Sequence, residues 1–68
     1  MEKLTDRELF IVKLLAQGLD NKEIATIIHV SKHTVKAHVS TIIKKLNAKN
    51  RTNVVYVALL NSLIGIGK

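Results

Sequence analysis

Apolar residues recur along the chain at the spacing of amphipathic α-helices. The clearest stripe has steps of four, three and four residues and consists of Val35, Val39, Ile42 and Leu46. This spacing places all four side chains on one face of a helix, which must turn toward a core. Shorter apolar runs of the same kind precede and follow it. The pattern predicts an all-α chain of four helices, over residues 6–17, 21–28, 32–46 and 51–63.

Residues with helix-capping chemistry precede the predicted helices. Thr5 and Asp20 each have a glutamate three residues later, the spacing of a capping box in which side chain and backbone bond reciprocally. Ser31 is placed to cap the third helix, and Asn50 is a weaker cap for the fourth. The helix starts are therefore predicted by local chemistry as well as by periodicity.

The helix ends carry signals of their own. Gly18 stands where a left-handed residue would end the first helix, with Leu19 packing back on Leu14, and Asn47 can end the third helix in the same way. Only residues 29–31 separate the second helix from the third. Two helices joined by so short a turn form a helix-turn-helix.

Size and composition are those of one small globular domain, spanning residues 1–68. The 68 residues are 47% hydrophobic, which is enough for a core and argues against disorder. The chain has no cysteine, so it has no disulfide framework and no thiolate metal site. No apolar run has the length of a signal peptide or a membrane span. We therefore expect a cytoplasmic protein without a membrane partner.

Charge is distributed unevenly along the chain. Residues 1–23 hold five acids and four bases, a net charge of −1, whereas residues 24–68 hold seven bases and no acid, a net charge of +7. A basic block without acids suits a polyanionic partner, although a solvated surface would have the same composition.

The histidines and hydroxyls near residue 31 do not form a chemical site. His29 and His33 are four residues apart, but the predicted cap at Ser31 lies between them, so they do not share a helix. His33 and His38 are five apart, roughly 140° around a helix. All five acids precede residue 24, which leaves no carboxylate to orient a catalytic base. We predict no metal, no cofactor and no enzymatic activity.

The outer face of the third helix suits a nucleic acid better. B-DNA's major groove admits one α-helix, and the small residues Ala37 and Ser40 at the centre of this face would allow close approach to bases. The helix N-terminus at 32–34 offers backbone N–H groups to a phosphate. The alternative is an ordinary solvated helix face. Lysines surround the small residues, namely Lys36, Lys44 and Lys45.

Four segments of the sequence carry a resemblance to a known family: "LTDRE" at 4–8, "LLAQGLDNKEIA" at 14–25, "VSKHTVKAHVSTIIKKL" at 30–46 and "NRT" at 50–52. In this order they resemble the DNA-binding domain of LuxR-type transcription regulators, the group that includes GerE and the NarL-like response regulators. The resemblance covers about residues 4–64. It implies a tetrahelical helix-turn-helix domain that binds double-stranded DNA, with the third helix in the major groove and the fourth used for dimerisation.

The resemblance also implies roles for individual residues. The family's base-facing positions fall on Lys36, Ala37 and Ser40. Since Ala37 and Ser40 are short where many members have longer side chains, base reading would depend on Lys36, on contact with thymine methyls and on DNA shape. The resemblance places contacts to the DNA backbone on Asn21, Lys22, Thr34, Lys44 and Lys45, and the N-terminus of the third helix adds Lys32 and His33 as expected backbone contacts.

The predicted fourth helix is more apolar than the resemblance leads us to expect. Val54 and Ala58 share one face and suit the core. A second apolar face on a small domain usually marks a partner surface, so we predict a homodimer contact, although part of this face could instead pack under the first helix or fray. The residues of this second face are Tyr56, Leu59, Leu60 and Leu63.

Two other functions remain open from the sequence. A promoter-reading region of sigma factors has a similar capped helix-turn-helix and a similar "LT.RE" start. A basic protein-interaction or membrane-surface module would use the apolar fourth helix. The chain could be a free-standing regulator, or the output domain of a larger protein with an N-terminal receiver or sensor domain.

Overall fold

Four α-helices form the secondary structure of residues 2–65, the part of the chain that the computed structural model describes. No strand occurs within these residues, and the predicted all-α, four-helix class is confirmed. The first helix ends one residue earlier than predicted and the fourth three residues earlier. The helices are α1 (Asp6–Ala16), α2 (Asn21–Ile28), α3 (Lys32–Leu46) and α4 (Arg51–Leu60).

The predicted caps begin all four helices. Thr5 and Glu8 form a capping box, with the Glu8 N–H donating to Thr5 Oγ1 at 3.1 Å and the Thr5 N–H donating to Glu8 Oε1 at 2.9 Å. Asp20 forms the same box with the glutamate three residues on. Ser31 and Asn50 each accept the N–H of the residue three positions later. These bonds satisfy amides that a helix start otherwise leaves unpaired.

Left-handed residues end the first three helices. Gly18 (φ 83°) and Asn47 (φ 53°) take this conformation as predicted, and the Leu19 N–H returns to the Leu14 carbonyl at 3.4 Å. The sequence did not predict that His29 (φ 59°) would do so at the end of α2. Histidine is one of the few residues besides glycine that is enriched there, and this sharp reversal leaves only three residues between the end of α2 and the start of α3.

The predicted end of the fourth helix at residue 63 is wrong. Ser62 turns left-handed (φ 56°), its N–H bonds to the Leu59 carbonyl at 3.1 Å, and the Leu63 N–H bonds to the Ala58 carbonyl at 2.8 Å. This pair of bonds is a Schellman motif. The apolar periodicity of the sequence continues to Leu63, but the helical backbone ends at Leu60. Leu63 therefore packs back against the core rather than extending the helix.

One hydrophobic core joins the four helices. α3 packs against each of the other three, and α1 also packs against α4. The predicted apolar stripe of α3 is buried, and the inner face of α4 is buried at Val54 and Ala58, as predicted. Each fully buried aliphatic side chain contributes roughly 1.5–3 kcal/mol relative to exposure. The largest of these side chains are Ile11, Ile24, Ile42, Val12, Val35 and Val54.

Candidate nucleic-acid interface

The outward face of α3 carries the three predicted base-facing residues, Lys36, Ala37 and Ser40. All three are exposed, because the opposite face of the helix is committed to the core. Thr41 is exposed beside them, and its hydroxyl donates to the Ala37 carbonyl at 3.2 Å. The centre of the face is therefore low and lightly polar, which leaves room for the edges of bases.

The start of α3 is tightly capped. Ser31 Oγ accepts the Thr34 N–H at 3.0 Å and lies 3.0 Å from the Thr34 hydroxyl. Thr34 is half-buried, whereas Lys32 and His33 are exposed. The positive end of the helix dipole and these two side chains make this end of α3 suitable for a phosphate.

The start of α2 lies beside the start of α4, and Arg51 joins them. Its Nη1 donates to the Asn21 side-chain oxygen, and its Nη2 donates to the Leu19 carbonyl at 2.7 Å. Lys22 and Lys32 line the same shallow depression as Asn21 and Arg51. The fold thus brings together three predicted phosphate contacts, Asn21, Lys22 and Lys32. Arg51 was not among the predicted site residues, and its only signal was the "NRT" segment.

The last two lysines of α3 have different surroundings. Lys44 is exposed. Lys45 Nζ donates to Glu8 Oε1 at 2.8 Å, and the two side chains keep only 21% and 9% of their exposure. Lys45 is therefore engaged by α1, and its contact with DNA stays a prediction. The sequence did not predict this pair, whose members are 37 residues apart.

The Glu8 carboxyl is ionised more readily than an ordinary glutamate. Burial alone would raise its pKa, but the hydrogen bond from Lys45, the backbone N–H of Thr5 and the positive charge of Lys45 together outweigh burial. The pKa of Glu8 therefore lies below its usual value of 4.5. At neutral pH the Glu8 side chain is therefore a carboxylate.

The outer side of α4 is apolar. Tyr56 and Leu60 remain 60% and 66% exposed, and Leu59 is half-buried. A groove runs from Leu59 and Tyr56 to the C-terminal end of α1. Leu63 was predicted to be part of this face. It lines a separate depression, whose other lining residues include Lys3, Leu4 and Leu9.

Two other kinds of feature are missing from the described part of the chain. Between residues 2 and 65, no helix is both long enough and apolar enough to cross a bilayer. Over the same residues, no three histidine, aspartate or glutamate side chains converge closely enough to hold a metal ion.

Comparison with known proteins identifies the family. The bacterial regulatory proteins of the luxR family match residues 2–58, which include the capped α1, the helix-turn-helix and most of α4. The chain belongs to the LuxR family. This confirms the predicted LuxR-type helix-turn-helix and the predicted class of function, a DNA-binding domain of a transcription regulator and not an enzyme. The match favours the LuxR type over the sigma-factor alternative.

Individual relatives are response regulators. The response regulator protein VraR of Staphylococcus aureus (strain Mu3 / ATCC 700698) is 46% identical over 63 residues, which are 93% of this chain and 30% of that protein. VraR of Staphylococcus epidermidis has the same identity and coverage. The crystal structure of ChrA, the response regulator of a haem-sensing two-component system, superposes with a TM-score of 0.88 and 38% identity, over 94% of this chain and 32% of that one. The chain thus spans about a third of these relatives' length.

Proposed function

We propose that the chain is the output domain of a response regulator and that it reads double-stranded DNA with α3 in the major groove. The observation that carries this proposal is the outward face of α3 in a chain of the LuxR family. Small exposed residues, Ala37 and Ser40, stand at its centre, and the exposed Lys36 and Lys44 stand at its margins. Such a face can approach base edges with Lys36 while Lys44 meets a phosphate.

Contacts to the DNA backbone would come from two helix starts. The starts of α2 and α3 present Lys22 and Lys32 in one depression with Asn21, and each helix start adds the positive end of its dipole. Together with Lys44, these groups would fix the register of α3 in the groove without reading sequence. The residues proposed for the DNA backbone are Asn21, Lys22, Lys32, His33, Thr34 and Lys44.

The outer side of α4 is proposed as the contact between two copies of the domain. Tyr56 and Leu60 are large, apolar and exposed on one helix, and pairing would remove them from water. A two-fold dimer would present two copies of α3 to half-sites about 10 bp apart, or at the spacing that the α4 contact sets. We place this domain, as a single folded unit, in the cytoplasm.

Selection from random DNA duplexes tests the proposal. We expect the enriched duplexes to contain two copies of one half-site, related by two-fold symmetry. Binding to that site should weaken steeply with salt, since each phosphate neutralised adds about 0.9 to the slope of log K against log salt. Lys44→Ala should lower that slope by about one, whereas the exposed Lys13 on α1 serves as the matched control.

Two results would contradict the proposed function. One is a pool of duplexes without any enriched sequence. The other is equal binding to anionic vesicles at physiological salt, which would support the membrane-surface alternative instead.

A further inference from the structure

Both ends of Lys45 are bonded to the first residues of the chain. Its ammonium donates to Glu8 Oε1 at 2.8 Å, and its backbone carbonyl accepts the N–H of Glu2 at 2.9 Å. Between these two contacts Leu4 is buried in the core. We call residues 2–8 the N-terminal segment. The N-terminal segment holds the C-terminal turn of α3 through both the side chain and the backbone carbonyl of Lys45.

We propose that Lys45 is a positioning residue, which sets the placement of α3 through Glu8 and does not bind a DNA phosphate. The inference rests on the proposed DNA binding by α3. It separates two adjacent lysines that look equivalent in sequence, since Lys44 is exposed and Lys45 is half-buried against α1.

The carboxylate that holds Lys45 is itself fixed. Glu8 Oε1 accepts the Thr5 N–H at 2.9 Å as well as the Lys45 ammonium, and Glu8 stands in the first turn of α1, where the helix dipole favours a negative charge. Because the capping box fixes its rotamer, the carboxylate cannot follow Lys45 toward another partner. Lys45 can reach a phosphate only by leaving Glu8.

Leaving Glu8 would be unfavourable. The Glu8 side chain keeps 9% of its exposure, so a departing ammonium leaves a buried carboxylate without its counter-charge, and a buried charge stripped of its partner destabilises a protein strongly. An ion pair between this lysine and a phosphate at an exposed site would stabilise less than the pair with Glu8 does. The pair therefore persists when DNA binds, and it aligns the C-terminal turn of α3 with α1.

Two substitutions separate positioning from phosphate binding. Lys45→Met keeps the length of the aliphatic stem and removes the charge. Glu8→Gln keeps an oxygen for the Thr5 N–H, because glutamine also completes a capping box, and removes only the charge that holds Lys45. Lys44→Ala is the matched control for a lysine that does meet phosphate. Affinity for one duplex is measured over a range of salt concentrations.

The two roles of Lys45 predict effects of opposite sign for Glu8→Gln. If Lys45 positions α3, each variant weakens DNA binding about three- to tenfold, the double variant is no weaker than either single variant, and the salt slope stays that of the parent. If Lys45 binds phosphate, Glu8→Gln frees it and strengthens binding, while Lys45→Met lowers the slope by about one, as Lys44→Ala does.

The outcomes that overturn the proposal are therefore defined. They are tighter or unchanged binding by Glu8→Gln, or a salt slope that falls with Lys45→Met. Circular dichroism establishes that each variant is folded at the temperature used, and if Lys45→Met does not fold, the sign of the Glu8→Gln effect decides alone. Failure of the parent chain to bind any duplex would instead contradict the proposed function.

Discussion

At the scale of single residues, the proposed reading of DNA depends on one long side chain. Of the three exposed residues assigned to base contacts, Ala37 and Ser40 end within one heavy atom of Cβ, and only Lys36 reaches outward. A lysine can donate to the guanine O6 and N7 acceptors in the major groove, whereas the alanine methyl can contact a thymine methyl. Hydrogen-bonded base discrimination is thus concentrated at one position.

Lys36→Ala should weaken binding to the selected DNA site by about 1–3 kcal/mol and should relax the base preference at one base pair. The measurement is the Kd for the selected duplex and for duplexes changed at single positions. Lys13→Ala on α1 should change neither quantity. Equal weakening of Lys36→Ala on every duplex would mean that Lys36 meets phosphate instead of a base.

Glu8 should make stability depend on acidity. Because its pKa is lowered in the folded chain, the unfolded chain binds this proton more readily. The contribution of Glu8 is therefore complete above the usual pKa of 4.5 and is lost as pH falls through the lower, folded value. Urea unfolding from pH 7 to pH 2 should show the parent losing its advantage over Glu8→Gln across that acidic range. A constant difference between the two chains would contradict the assignment.

At the scale of helices, capping chemistry explains what could be predicted from sequence. A cap such as Thr5 or Ser31 acts within three residues, so its signal lies beside the helix it starts, and Gly18 marks an end by its own lack of a side chain. Ser62 gives no such signal, since serine is uncommon in the left-handed region. The sequence therefore predicts α4 three residues too long, and the structure places Leu63 after the helix rather than on it.

Contacts between distant residues were also beyond the sequence pattern. Arg51 meets Asn21 across 30 residues, and Lys45 meets Glu8 across 37. Periodicity identified the outward face of α3 correctly because that face is defined by the helix alone. Which of its lysines is engaged by another helix depends on the packing of α1 against α3, which no local spacing encodes.

Ser62→Gly should stabilise the domain. Left-handed backbone costs a non-glycine residue about 1 kcal/mol, and glycine would remove most of that cost while keeping the Schellman motif. We expect the free energy of unfolding in urea to rise by roughly 0.5–1 kcal/mol. Ser40→Gly, in the middle of α3, is the matched control and should lower it by a similar amount. A loss of stability in Ser62→Gly would show that this turn is not strained.

At the scale of the whole molecule, two surfaces of different chemistry are assigned to two partners. The outward face of α3 is polar and basic and is assigned to DNA, whereas the outer side of α4 is apolar and is assigned to a second copy. The two surfaces belong to different helices, so the proposal has one domain engage both partners at once. Dimerisation would then raise affinity for a two-fold site without any new contact to DNA.

Leu60→Glu should abolish association of the domain. Leu60 is 66% exposed, so a glutamate there is tolerated in the monomer but is opposed by desolvation and by its own counterpart in a two-fold contact. Sedimentation at high protein concentration should show a dimer for the parent and a monomer for the variant. Phe10→Glu, on the exposed side of α1, controls for the loss of a large apolar side chain. A strictly monomeric parent would exclude the α4 dimer.

The bond from Glu2 to the Lys45 carbonyl also affects how the end of α3 opens. Helix ends ordinarily fray, because the last four carbonyls lack partners within the helix. At the end of α3, the Ile43 carbonyl accepts from Ala48, the Lys44 carbonyl from Asn47 and the Lys45 carbonyl from Glu2. The last turn therefore cannot unwind alone, since opening it also detaches the N-terminal segment. The amide hydrogen of Glu2 and those of Asn47 and Ala48 should therefore share one free energy of local opening and exchange with solvent together.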